Sequence, residues 1–286
     1  MSPTIEIAVR VASYAAVFAG MAAWEWLAPR RKLLHGRRPR WASNLGVLVV
    51  DIVAVRLLVP TAAVGVALIA AQHGWGLLPL LGLPLWAAGI VGFVVLDFTI
   101  YLQHRVFHAV PVLWRLHRMH HADLDIDVTT GVRFHPFEIV LSALIKIAAV
   151  LALGVPALSV LLFEVVLNAT SMFNHSNVTL PPWLDRLAQL IVVTPQMHEI
   201  HHSALRAETD SNFGFNLPWW DRLLGTYRAQ PAAGEQGVQI GLPDFRDPGE
   251  LRLDRLLTQP FRNDRARAEH NDNAAVSGGR RSARSG

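Results

Sequence analysis

The hydrophobic positions of this chain fall into long apolar blocks separated by short polar intervals. Residues 5–28 are almost continuously apolar, enough for one bilayer crossing at about twenty residues per span. No basic residue precedes this run, and it exceeds the apolar core of a cleavable signal, so it reads as a retained span. Arg10 near its start can snorkel to the interface. The interval 29–41 then carries Arg30, Arg31, Lys32, Arg37, Arg38 and Arg40. The positive-inside rule assigns that loop to the cytoplasm and the N-terminus to the other side. A second span is expected over 44–71, with Asp51 and Arg56 turned into the bundle rather than toward lipid. An uncharged turn at 72–76 contains His73 as a loop residue, and a third span over 78–100 returns the chain to the cytoplasmic side.

The block 138–170 is long for one crossing, and Gly154 with Pro156 interrupts its middle. It reads as a hairpin of two helices, which leaves the polar segments before and after it on one side. From His175 onward the pattern becomes amphipathic, with a Pro-Pro helix start at 181 and aromatic residues suited to a membrane interface around 213–220. Beyond 260 there is little to bury, and a disordered polar tail is expected, with no role for His270. The expected fold is all-α: a polytopic integral membrane protein with about three full spans, a helical hairpin and a cytoplasmic histidine-rich helical cap. Its parts are N-terminal transmembrane helices over 1–103, a histidine-rich region over 104–259 that includes the hairpin, and the tail 260–286.

Composition supports the membrane reading. Of 286 residues, 52% are hydrophobic and 17% charged, with mean hydropathy +0.30, whereas soluble domains carry nearer a quarter charged residues. There are no cysteines, which excludes disulfides, thiolate zinc sites and iron–sulfur clusters built from this chain. The small basic excess lies in membrane-flanking loops and the tail, so it gives no reason to expect a nucleic-acid partner.

The polar residues that break this pattern most sharply are histidines. His104 and His108 are four apart; His117, His120 and His121 follow; and His198, His201 and His202 recur some eighty residues later. On helices these spacings put each cluster on one face, and neutral imidazole is the commonest protein metal ligand. Eight clustered imidazoles, with His135 and His175 as further candidates, exceed the needs of one ion, so two are expected. Nitrogen and oxygen donors without thiolate suit iron, whose open positions activate dioxygen. Asp97, Tyr101, His104 and His108 form one helical stripe, on which Asp97 is expected to orient an imidazole. Tyr101, Asn174 and Asp221 are read as supporting or packing residues. Next to a bilayer the accessible substrate is lipid, whose unactivated C–H bonds require such a cofactor. A competing pattern is present: His198-Glu199-Ile200-His201-His202 also satisfies H-E-x-x-H, with Glu199 as the general base of an intramembrane zinc peptidase.

From Asp97 to Tyr227 the sequence resembles the fatty acid hydroxylase and sterol desaturase superfamily. His104-x-x-x-His108, His117-x-x-His120-His121 and His198-x-x-His201-His202 match its three histidine boxes in order. Arg133-Phe-His135-Pro136-x-Glu138, Asn174-His175-Ser-Asn177 and Trp220-Asp221-Arg-Leu-Leu-Gly225-Thr226 resemble its flanking signatures. The resemblance implies a non-haem di-iron centre (two Fe ions), O2, a membrane lipid substrate, and electrons from NAD(P)H. Those electrons are expected through a separate donor, a ferredoxin or small haem carrier with its reductase. The implied ligands are His104, His108, His117, His120, His121, His175, His198, His201 and His202, with His135, Asp97, Tyr101 and Asn174 as further ligands or supports. Some members carry another histidine where this chain has Ser171.

Overall fold

A computed structural model describes residues 2–59, 61–234 and 237–262; the expected tail and His270 lie outside them. Among the described residues the architecture is helical, with one isolated bridge between Ser203 and Ile240. Helix α1 (Pro3–Leu27) starts where the Ser2 hydroxyl accepts from the Ile5 amide and Pro3 occupies the first turn. It lies along the second arm of the hairpin. Helix α2 (Arg37–Leu58) is followed by α3 (Ala63–His73), so the expected second span is in two pieces. The break falls at Val59, before Pro60, where the proline ring pushes the preceding residue out of the helical region. Asp51 is buried inside the bundle as expected, whereas Arg56, in the last turn of α2, is exposed rather than turned inward.

The short α4 (Leu77–Leu80) precedes α5 (Leu85–Ala109). At about 1.5 Å per residue, α5 is roughly 37 Å long, longer than the hydrocarbon layer of about 30 Å. Its last turns therefore carry His104 and His108 beyond the apolar region, and α6 (Pro111–His121) turns back at once. The hairpin consists of α7 (Pro136–Leu153) and α8 (Ala157–Asn174). Gly154 closes α7 with φ 69°, and a Cβ there would stand 2.4 Å from the Trp75 carbonyl oxygen. Only glycine fits where the hairpin tip meets the 75–79 turn. Among the described residues, five helical stretches are long and apolar enough to cross a membrane: 4–27, 37–80 (α2 and α3 with the short helix after them), 85–109, 136–153 and 157–174. The chain is an integral membrane protein.

The apolar core joins α3, α5, α7 and α8 through Val64, Leu96, Val150, Val160 and Phe163, with Phe93 edge-on to Phe163 at 5.3 Å between centroids. Beyond it sits a cap of short elements: α9 (Pro182–Ala188), α10 (Pro195–His201), α11 (Arg206–Thr209), α12 (Trp219–Leu223) and α13 (Leu253–Thr258). The basic interval 29–41 is part of how the cap is fastened. Arg40 is fully buried, bidentate to Asp123 at 2.8 Å twice and paired with Asp127 at 2.5 Å. Arg30 and Arg31 pair with Glu199. These cations therefore reflect internal pairing as well as any topological bias.

Candidate metal centre

Four helices converge to bring the histidines together. The last two turns of α5 supply His104 and His108, and α6 supplies His117, His120 and His121. His175 caps the C-terminus of α8. His198 and His201 come from α10, which is opened by the Thr194 hydroxyl and Pro195, and His202 caps its end. The nine form two groups in which one donor atom per residue lies within 4.8 Å of every other: His104, His108, His117, His121 and His201 in one, and His120, His175, His198 and His202 in the other. The groups share a wall, with the rings of His121 and His202 stacked at 4.6 Å. All nine are at most 3% exposed, so each needs a partner more demanding than bulk water.

The outward ring nitrogens fix the tautomers. His104 Nδ1–H donates to the Phe213 carbonyl and His201 Nδ1–H to the Ser211 carbonyl, both at 2.7 Å. In the second group His175 donates to the Ser171 carbonyl at 2.7 Å and His120 to the Arg133 carbonyl at 3.2 Å. A carbonyl oxygen can only accept, so Nε2 of each ring carries a bare lone pair. Yet Nε2 of His104 lies 3.1 Å from Nε2 of His201, and Nε2 of His120 lies 3.1 Å from Nε2 of His175. Neither contact can be a hydrogen bond, and each group contains at least one such pair. Converging lone pairs of this kind are compatible with a cation between them, so the donor set fits two metal ions.

Electrostatics point the same way. Burial pulls His117 down to about 3 and His175 to about 4. Burial and then neighbouring imidazoles hold His120, His121, His198, His201 and His202 well below the usual histidine value. All are therefore neutral near pH 7, as metal ligation requires. In metal-free protein the unfolded chain binds protons from about pH 6.5 downward, whereas folded His117 and His175 wait until about 3 and 4. Stability should fall with pH across that window, by up to about 1.4 kcal/mol per pH unit for each such histidine. Chelator-treated protein should thus melt at lower temperature at pH 5 than at pH 7.5. An unchanged melting temperature would contradict the burial of neutral imidazoles.

Two carboxylates complete the outer contacts. Glu138, three residues into α7 and 3% exposed, accepts from His117 Nδ1 at 2.7 Å, and Asp210 accepts from His108 Nδ1 at 3.2 Å. Carboxylates behind ligating imidazoles fix orientation and raise basicity, and losing one typically costs about 10–100-fold in metal affinity. Glu138→Gln should weaken metal binding by that order in a competitive chelator titration; unchanged affinity would assign Glu138 a packing role only. The sequence signal was a carboxylate three residues beyond His135 at a helix start. The carbonyls of Ser211, Phe213, Arg133 and Ser171 have no sequence signature.

The remaining sequence candidates do not touch the imidazole groups through their polar atoms. Asp97 accepts from Trp220 Nε1 at 2.7 Å and from the Leu217 amide at 3.4 Å, so it holds a loop rather than orienting a histidine. Tyr101 hydrogen-bonds Thr226 at 2.7 Å, and Asn174 donates to the Phe215 carbonyl at 3.1 Å. Asp221 accepts from the Phe213 and Gly214 amides at 2.8 and 2.9 Å. These four clamp residues 213–226, whose Phe213 carbonyl orients His104. His135 lies outside both groups: its Nδ1 caps α7 by accepting from the Phe137 amide, and its Nε2–H donates to the Leu257 carbonyl at 3.1 Å. Ser171 turns its hydroxyl to the Gly131 carbonyl at 2.9 Å. Glu199 is ion-paired with Arg30 at 2.9 Å and Arg31 at 2.6 Å. Phe134 stacks on His120 at 4.3 Å, and Phe215 lies 5.0 Å from His104, giving the centre an apolar, water-excluding lining.

The sequence model of the family described as fatty acid hydroxylase matches residues 89–226. Ornithine lipid hydroxylase OlsE of Rhizobium tropici is 32% identical over 173 residues, 60% of this chain and 50% of that protein. Alkylglycerol monooxygenase of Homo sapiens is 30% identical over 169 residues, 58% of this chain and 36% of the relative. Sphingolipid C4-hydroxylase sur2 of Schizosaccharomyces pombe is 26% identical over 137 residues, 47% of this chain and 46% of the relative. The matches thus span half or less of these relatives' lengths. No solved structure matches the chain significantly.

Proposed function

We propose that this chain, matched over residues 89–226 by the fatty acid hydroxylase family model and 32% identical to an ornithine lipid hydroxylase over 60% of its length, is a member of that superfamily and a membrane di-iron oxygenase that hydroxylates a lipid C–H bond. The observation that carries this reading is the pair of buried, neutral, cysteine-free imidazole groups, each containing lone pairs that face one another. The ions they would hold supply dioxygen activation when bound. His104, His108, His117, His121 and His201 would bind one, and His120, His175, His198 and His202 the other. The chain's own contribution is to keep nine imidazoles neutral, to aim six of them through fixed outer hydrogen bonds, and to exclude water with Phe134, Phe213 and Phe215. Hydroxylation consumes one O2, two electrons and two protons per C–OH formed, and releases one water. The electrons come from NAD(P)H through a separate one-electron carrier protein.

The relatives' printed names favour hydroxylation over desaturation, since they describe lipid hydroxylases and a monooxygenase. The zinc peptidase reading is disfavoured by the ion pairing of Glu199 and leaves the five-histidine group without a purpose. Incubating the iron-loaded, chemically reduced protein with membrane lipid under 18O2 tests the reading. A lipid product carrying one 18O is expected, with none incorporated from labelled water. Absence of lipid-dependent oxygen uptake, together with cleavage of a peptide substrate, would overturn it. The hairpin also implies that reporters fused after residues 35, 125 and 230 all read the cytoplasmic side; a far-side signal at 230 would contradict a single shared site.

A further inference from the structure

Two stretches far apart in sequence form one apolar plate on the cap. On and after α9, Trp183, Leu187, Leu190 and Ile191 are 63%, 56%, 56% and 65% exposed. On α12, Trp219 and Leu223, one turn apart, are 40% and 72% exposed. The two stretches are fastened edge to edge. Trp219 Nε1 donates to the Leu190 carbonyl at 2.6 Å, Arg222 donates to the Gln189 carbonyl at 2.5 Å, and the Tyr227 hydroxyl donates to Gln189 at 3.0 Å. Exposed side chains of this size, contiguous and held rigid, mark a contact surface rather than the scattered apolar residues normal for a soluble face.

The membrane-crossing helices indicate what covers it. Trp220, beside Trp219, hydrogen-bonds Asp97 on α5, and its ring lies 4.7 Å from that of Phe98. Asn216 pairs with Thr170, one turn inside the end of α8. The plate is thus joined to two membrane-crossing helices at positions inside their ends, where the bilayer surface must pass. Arg186 and Arg222 are exposed beside it, a pairing of apolar face and cationic flank that suits lipid acyl chains and phosphates. We infer that the 183–191 and 219–223 plate lies in the headgroup region of the leaflet on the histidine side, anchoring the cap to the lipid surface. Because the same loop continues through Phe213 to the His104 contact, the plate also fixes the height of the candidate centre above the bilayer. The inference is independent of the chemistry at the metal ions.

The absence of cysteine makes the test direct. Single nitroxide labels at Leu187→Cys, Ile191→Cys and Leu223→Cys, with Asp254→Cys as an exposed control on α13, would be read in reconstituted bilayers. Collision with apolar oxygen and with a water-soluble nickel chelate is then compared by power-saturation spectroscopy. At 187, 191 and 223 the ratio of oxygen to nickel collisions should exceed one, and at 254 it should fall below one. Nickel collisions dominating at the plate positions would overturn the inference. So would strong spin–spin broadening removed by dilution with unlabelled protein, because a second copy of the chain would then be the cover. Three independent positions keep the test decisive if one label perturbs folding.

Discussion

His201→Ala and His120→Ala should each abolish lipid oxidation and lower metal content, while His73→Ala matches the parent on both counts. His201 belongs to the five-histidine group and His120 to the four-histidine group. Each variant should therefore release mainly one ion, bringing the total from about two toward one per chain, and the two losses should fall on different sites. Removing a supporting partner behind a ligand costs about 10–100-fold in affinity, and deleting the ligand itself should cost more. His73 is exposed and stacks on Trp75 at 4.8 Å, remote in role from either group. Metal analysis and oxygen uptake on the three purified variants check this. Full metal content in both cluster variants would remove the assignment.

The second large effect is expected far from the imidazoles in chemistry, though not in structure. Arg40→Met should destabilise the protein by about 3–5 kcal/mol, because it leaves Asp123 and Asp127 as buried charges without their principal partner. Burial alone would raise the Asp123 carboxyl, but the Arg40 and Arg133 guanidiniums hold it well below the ordinary carboxylate range. The network continues through Asn44 and Thr129, and Arg133 donates to the Met119 carbonyl at 2.9 Å inside α6. Losing Arg40 thus loosens the strand of chain between His121 and His135. The thermal melting temperature in detergent reads the effect. A variant that melts with the parent would mean that solvent or rearrangement neutralises the aspartates. Arg40→Lys should also fail to rescue fully, since an ammonium cannot reproduce the bidentate contact.

Eight of the nine converging histidines are legible from their helical spacing, whereas His175 stands alone in the sequence and joins the ligand set only through the family resemblance. The hairpin was legible too, since Gly154 and Pro156 punctuate an apolar block too long for one helix. Other features depended on contacts between residues far apart. Arg40 reads as one of six cations in a loop, and nothing local distinguishes a buried guanidinium from a solvated one. Its partners, Asp123 and Asp127, lie more than eighty residues away. Asp97 was recognised as an acidic residue that lipid would not tolerate, but its partner is the indole of Trp220 rather than an imidazole. The division between α2 and α3 did have a signal in Pro60, outweighed by the continuous apolar run around it. The groups that aim His104, His120, His175 and His201 are backbone carbonyls, which every residue carries and no sequence pattern marks.

The proposed oxygenase requires the two histidine groups to hold two irons. Elemental analysis of the detergent-purified protein, paired with Mössbauer spectroscopy after growth on iron-57, tests it most directly. About two irons per chain, in a spectrum of a coupled pair, is the predicted result. One zinc per chain with no capacity to bind iron would contradict it.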